Sequence, residues 1–142
     1  MFQPPLITVV DDDEAIREAT ESLIRSVGLR AEVFASAEDF LHSAHLQDTA
    51  CLIVDVRMPR MSGLELQRQL AKDHCPIPII FITAHDDAET RTCALRAGAV
   101  AFLDKPFSDE VLLRAVQSTL PSSRGARRDP SLRQLAPVQA KG

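Results

Sequence analysis

The sequence contains no tryptophan and no tyrosine, and its aromatic residues are six phenylalanines and four histidines. Burial must therefore rest on Ile, Leu, Val and Ala, the mix that lines parallel sheets and the helices covering them. Cysteine is scarce: Cys51, Cys75 and Cys93 are odd in number and lack CxxC spacing, which points to small buried apolar residues rather than disulfides or a thiolate metal site. No signal peptide and no long apolar run is present, so the expected setting is a reducing cytoplasm without membrane association. Basic charge is also sparse in most of the chain. Residues 1–120 hold 11 Lys+Arg against 19 Asp+Glu, whereas residues 121–142 hold 5 against 1. An acidic body opposes binding to a phosphate backbone, so residues 1–120 are not expected to contact nucleic acid directly.

What is present fits one domain. The chain has 142 residues, 45% hydrophobic and 25% charged, enough for a single core and too short for two packed domains. Short apolar runs alternate five times with amphipathic stretches, the pattern of an α/β sheet built from βα repeats. The expected strands are 6–10, 30–34, 51–54, 77–82 and 100–103. The first helix is expected from about Asp13 to Val27, with Gly28 as its stop and Ile16, Ala19, Leu23, Ile24 and Val27 facing inward. Ser36 caps a helix carrying Phe40 and Leu41. Leu64, Leu66 and Leu70 mark a third helix after the Ser62-Gly63 turn. A fourth runs from about Asp86 to Arg96 and is closed by Gly98. Ser108 caps the last, whose inward face is Val111, Leu112, Ala115 and Val116. From residue 121 the composition shifts to Pro, Ser, Arg, Gly, Gln and Ala without period, which reads as a flexible basic tail or linker.

Five parallel strands joined by right-handed crossovers place helices on both faces and a ligand crevice beyond the strands' carboxyl ends. The residues there are Asp11 and Asp12, Asp55, Thr83 and Lys105. Three converging carboxylates repel one another, so at least one must stay protonated unless a cation neutralises them. The candidate ligands are all oxygens, which favours a hard ion such as Mg²⁺, a common companion of phosphate. Such a site suits an incoming phosphoryl group, with Lys105 and the Thr83 hydroxyl around its oxygens. Asp55, with no neighbouring carboxylate in sequence, is the best nucleophile.

The stretches Val9-Val10-Asp11-Asp12-Asp13, Asp55 to Leu64, Ile80 to Ala84 and Phe102-Leu103-Asp104-Lys105-Pro106-Phe107 together resemble the receiver domain of bacterial two-component response regulators, nearest its FixJ-like branch. The resemblance covers roughly residues 5–120, four motifs in order. It implies a flavodoxin-like or CheY-like (βα)5 three-layer sandwich with a five-stranded parallel sheet. It implies that Asp55 accepts a phosphoryl group from the phosphohistidine of a sensor histidine kinase, with Mg²⁺ as cofactor and Mn²⁺ as a substitute. Asp12 matches the direct metal ligand, Asp11 the ligand acting largely through water, and Arg57 the position whose backbone carbonyl is a ligand. Thr83 matches the switch hydroxyl, Lys105 its cationic partner, and Phe102 the aromatic that turns inward as Thr83 moves. Lys105-Pro106 matches a peptide bond that is usually cis. Arg57 and His85 occupy positions that tune phosphoryl lifetime. The family also implies a switching face formed by the fourth helix, fifth strand and fifth helix, used for a partner or for homodimerisation.

Other readings stay open on the residues alone. Aspartyl-phosphate phosphohydrolases use a similar charge set, but usually place a second acid two residues after the nucleophile, where this chain has Arg57. A phosphorylation-independent interaction module on the same fold is the third. His42 and His45 have helical spacing, but no carboxylate or thiol follows in turn, so they read as a solvated surface.

Overall fold

The computed structural model describes residues 3–85 and 87–121. Strands and helices alternate without exception among them: β1 (Leu6–Val10), α1 (Glu14–Ser26), β2 (Arg30–Phe34), α2 (Ala37–Leu41), β3 (Thr49–Asp55), α3 (Gly63–Lys72), β4 (Ile79–Thr83), α4 (Ala88–Arg96), β5 (Ala101–Asp104) and α5 (Asp109–Thr119). The five strands form one sheet in the order β2-β1-β3-β4-β5, every neighbouring pair parallel. The three-layer α/β sandwich expected from the sequence is thus the observed one. Strand order reverses between β1 and β3, so the crevice lies at their carboxyl ends.

Alternation along the strands builds two cores, one on each face of the sheet. Ile7, Val9, Cys51, Ile53, Ile80 and Ile82 pack with Ile24 of α1 and with Leu112 and Val116 of α5. Val10, Leu52, Val54, Phe81 and Phe102 pack on the opposite face with Phe40 of α2, Leu66 and Leu70 of α3, and Ala94 of α4. Aliphatic side chains fill the first core, and the phenylalanines concentrate in the second. Each helix opens on a side-chain cap: Asp13, Ser36, Ser62, Asp87 and Ser108 each accept a hydrogen bond from a first-turn backbone N–H, satisfying donors that the helix itself leaves free. Gly28 and Gly98, the expected stops of α1 and α4, have φ of +86° and +105°, a conformation that a side chain makes costly.

Several boundaries differ from those expected. β3 begins two residues earlier, at Thr49, because the Thr49 hydroxyl lies 2.8 Å from that of Thr8 on β1 and donates to the His45 carbonyl. β4 begins at Ile79 because Pro78 has no N–H for the ladder, although its carbonyl accepts from Leu52. β5 is shifted by one residue and Val100 is 42% exposed. On α1, Thr20 is buried in place of Ala19, and Val27, the C-cap, is exposed; on α5, Val111 is exposed. Of the cysteines, Cys51 is buried and Cys93 exposed. The expected helix start at Asp86 and the expected tail over 122–142 lie outside the described residues.

Candidate functional site

Asp11 directly follows β1, Asp55 closes β3, Thr83 closes β4 and Lys105 directly follows β5. The register sets Asp55 opposite Ile82 and Thr83 opposite Asp104, so the sheet carries these positions to one edge. Lys105 Nζ lies 2.9 Å from Asp11 Oδ2 and 3.5 Å from Asp55 Oδ2. Oxygen atoms of Asp11, Asp12 and Asp55 all fall within 4.8 Å of one another, with Asp11 and Asp55 buried and Asp12 exposed. Five residues picked from strand ends are thereby placed along one crevice, and four of them share one charge cluster.

Backbone groups orient the acids. Asp11 Oδ1 accepts from the Asp13 N–H at 2.9 Å, and Asp55 Oδ1 accepts from the Arg57 N–H at 3.2 Å. The second oxygen of each carboxylate faces Lys105. Burial, and then the charge of Asp11, push the Asp55 carboxyl up to about 6, against the opposing pull of Lys105. Burial alone would lower the Lys105 ammonium, but contact with Asp11 and the charges of both acids outweigh it and hold the group above the usual lysine range. One cation does not balance three acids. Asp11 Oδ2 is buried, with the Lys105 ammonium 2.9 Å away as its partner. Three carboxylates within reach of one another, two of them buried, form a donor set suited to a hard divalent cation.

Thr83 is fully buried, and its Oγ1 exchanges hydrogen bonds with the backbone of His85, donating to the carbonyl at 3.2 Å and accepting from the N–H at 3.1 Å. The Lys105 N–H donates to the Thr83 carbonyl at 2.7 Å, tying the two strand ends together. The Lys105–Pro106 peptide is cis, as the resemblance implies. Phe102 is already buried, with its ring centroid 6.2 Å from that of Phe81. The Arg57 and His85 side chains are exposed and line, with Met58, Leu64 and Thr90, a cavity of about 520 Å³ beside Asp55.

Two contributors escaped the sequence reading. Arg17 on α1 donates through Nη1 to the Asp11 carbonyl at 2.7 Å, fixing the strand end that carries the buried acid. At Gly63, the first residue of α3, a Cβ would fall 2.5 Å from the Asp55 carbonyl oxygen, so this position brings α3 into contact with the strand that ends on Asp55. Gly63 stands inside a quoted motif, but its steric role is a tertiary fact that no local pattern shows. Arg17 has no signal beyond being one of several helix-surface arginines.

The family model for the response regulator receiver domain matches residues 7–117. The response regulator protein TmoT of Ectopseudomonas mendocina is 49% identical over 118 residues, covering 83% of this chain and 54% of TmoT. TodT of Pseudomonas putida is 50% identical over 115 residues, covering 81% of this chain and 51% of its own. The chain therefore spans about half the length of these curated relatives. Among solved structures, FixJ-N superposes with a TM-score of 0.74 at 38% identity, covering 83% of this chain and 94% of that one. Matched across most of its length in sequence and in structure, the chain belongs to the receiver-domain family of two-component response regulators.

Proposed function

We propose that Asp55 is the phosphoryl acceptor of this receiver, charged by a sensor histidine kinase in a Mg²⁺-dependent transfer. The observation that carries this reading is the Lys105 ammonium set between Asp11 and Asp55, with Asp12 alongside. Asp11, Asp12 and Asp55, with the Arg57 backbone carbonyl, would hold the ion, which supplies positive charge to neutralise the acids and the phosphoryl oxygens. In the transfer one Asp55 oxygen forms a bond to phosphorus as the donor's P–N bond breaks, and the released electron pair stays on the imidazole. Asp55 must be ionised to attack, which its acidity near 6 allows at neutral pH. Lys105 is then placed to stabilise the equatorial oxygens. Thr83 exchanges its present bonds to His85 for one to the phosphoryl group, drawing in the loop before α4, while Arg57 and His85 border the path by which water reaches the acyl phosphate.

The reader of this change is the α4-β5-α5 face. Leu95 on α4 and Val100 just before β5 are each 42% exposed, and Val111 on α5 is 41% exposed, apolar area available to a partner or a second copy. No helix among the described residues is long and apolar enough to cross a membrane. The test is labelling with acetyl phosphate or a partner kinase. Phosphorylation is expected only with a divalent ion present and is lost in Asp55→Asn; labelling that persists in that variant without relocating to a neighbouring aspartate overturns the assignment.

A further inference from the structure

Helix α4 buries a single side chain, Ala94, yet it is tied to β5 by one long residue. The Arg91 guanidinium carbon sits 4.9 Å from the centroid of the Phe102 ring. Its Nη1 donates to the Phe102 carbonyl at 3.4 Å, and its Nη2 lies 3.6 Å from Asp104 Oδ1. Arg91 thus touches the ring, the backbone of the same residue and the carboxylate two positions on. Phe102 has Phe81 beside it at 6.2 Å and is 6% exposed. Turning the ring outward would forfeit both the aromatic neighbour and the cation. A lysine could not replace this set, because a planar fork is needed to stack and to reach two acceptors at once.

We infer that Arg91 is a positioning residue that holds Phe102 inward before phosphorylation, so that in this chain activation moves Thr83 and α4 around a ring already in place. The inference rests on the reading of Asp55 and Thr83 as acceptor and switch, but its first observable needs no phosphorylation. Because the chain has six Phe and no Tyr or Trp, 4-fluorophenylalanine labelling yields a simple ¹⁹F spectrum in which Phe102→Leu identifies the signal. In the full 142-residue chain the Phe102 fluorine is expected to be shielded from a soluble gadolinium chelate. In Arg91→Met, its relaxation by the chelate is expected to rise about threefold, the population effect of one partly exposed cation–π contact. Arg91→Lys should follow Met, and Asp104→Asn, which keeps the guanidinium over the ring, should follow the parent. Acetyl phosphate with Mg²⁺ should shift the Phe102 signal less in the parent than in Arg91→Met.

Equal shielding in the parent and in Arg91→Met, with native circular dichroism in both, overturns the inference, and so does an exposed ring in the parent. A shielded ring in Arg91→Lys overturns the stacking account. If shielding follows the expectation while Asp55 takes no label, the acceptor reading fails and the Arg91 contact stands; an unshielded parent ring with normal labelling gives the reverse.

Discussion

Helices α3 and α4 cover the same face of the sheet, and each follows a strand that delivers a site residue, yet they are anchored by different means. α3 buries Gly63, Leu66, Gln67 and Leu70 and opens on a reciprocal capping box between Ser62 and Glu65. α4 buries Ala94 alone and opens on Asp87, which accepts from the Glu89 N–H and the Thr90 hydroxyl without the reciprocal bond of a capping box. Side-chain ties add to this: Gln67 Nε2 on α3 donates to the Ala94 carbonyl at 3.1 Å, and Arg91 reaches β5. Buried apolar contacts resist small displacements, because a packed interior does not deform continuously. The Arg91 ion pair, at a half-exposed surface, is exchangeable at little cost, and the buried Gln67 bond is the firmer of the two. Asp55, the proposed acceptor, is therefore carried beside a fixed helix, and Thr83 beside one that can move.

The largest expected difference between the two helices lies in a matched pair of truncations. Leu66→Ala removes a fully buried side chain and should cost about 3 kcal/mol, the transfer and cavity terms together. Leu95→Ala removes the same atoms from a side chain 42% exposed and should change stability by less than about 0.5 kcal/mol. Urea unfolding of both variants measures the contrast. A cost above about 2 kcal/mol for Leu95→Ala would show that α4 is anchored by packing and remove the basis of the comparison.

Next in size is the charge against which α3 is seated. The Asp55 carboxyl is held at about 6 in the fold against an ordinary 3.8. Between those values the folded chain binds more protons than the unfolded one, so this group's contribution to stability is present at low pH and is lost as pH rises through about 6. Asp55→Asn escapes that loss. With a chelator present, it should be more stable than the parent by about 3 kcal/mol at pH 7, from 1.36 kcal/mol per pH unit, and the gain should vanish below about pH 4. Millimolar Mg²⁺ should narrow the gap by stabilising the parent. Denaturant midpoints at pH 4, 5, 6 and 7 report the slope, and a pH-independent gap would show that Asp55 pairs with Lys105 without strain.

Much of this was legible in the sequence, for identifiable reasons. Strand ends and helix caps are local: Asp11 after an apolar run, Ser36 and Ser108 before amphipathic stretches, Gly28 and Gly98 after them. Because the parallel topology follows from the alternation of elements, the crevice and its five residues followed too. Two of the misplacements share one cause, a contact between distant segments overriding a local pattern. Thr49 joins β3 through its hydroxyl contact with Thr8, 41 positions away. Ala19 gives way to Thr20 because the inward face of α1 is set by where α5 and the sheet lie. Arg91 was invisible because a helix-surface arginine has no signature until the strand it reaches for is placed.

The smallest expected effect separates the helices most sharply, because it concerns where a loss is felt rather than its size. Ser62→Ala and Asp87→Ala each delete one cap, worth about 1 kcal/mol. α3 is locked to the core by Leu66 and Leu70, so it should open only when the whole domain opens, and Ser62→Ala should lower global stability by roughly that amount. α4, with one buried side chain, should open locally at a free energy below the global value. Asp87→Ala should therefore leave the urea midpoint nearly unchanged while speeding hydrogen exchange of the Ala94 to Arg96 amides about fivefold, with α3 amides unaffected. Equal slowing or equal acceleration in both helices would mean that they unfold as one unit, and a receiver built that way could not move α4 against a fixed α3.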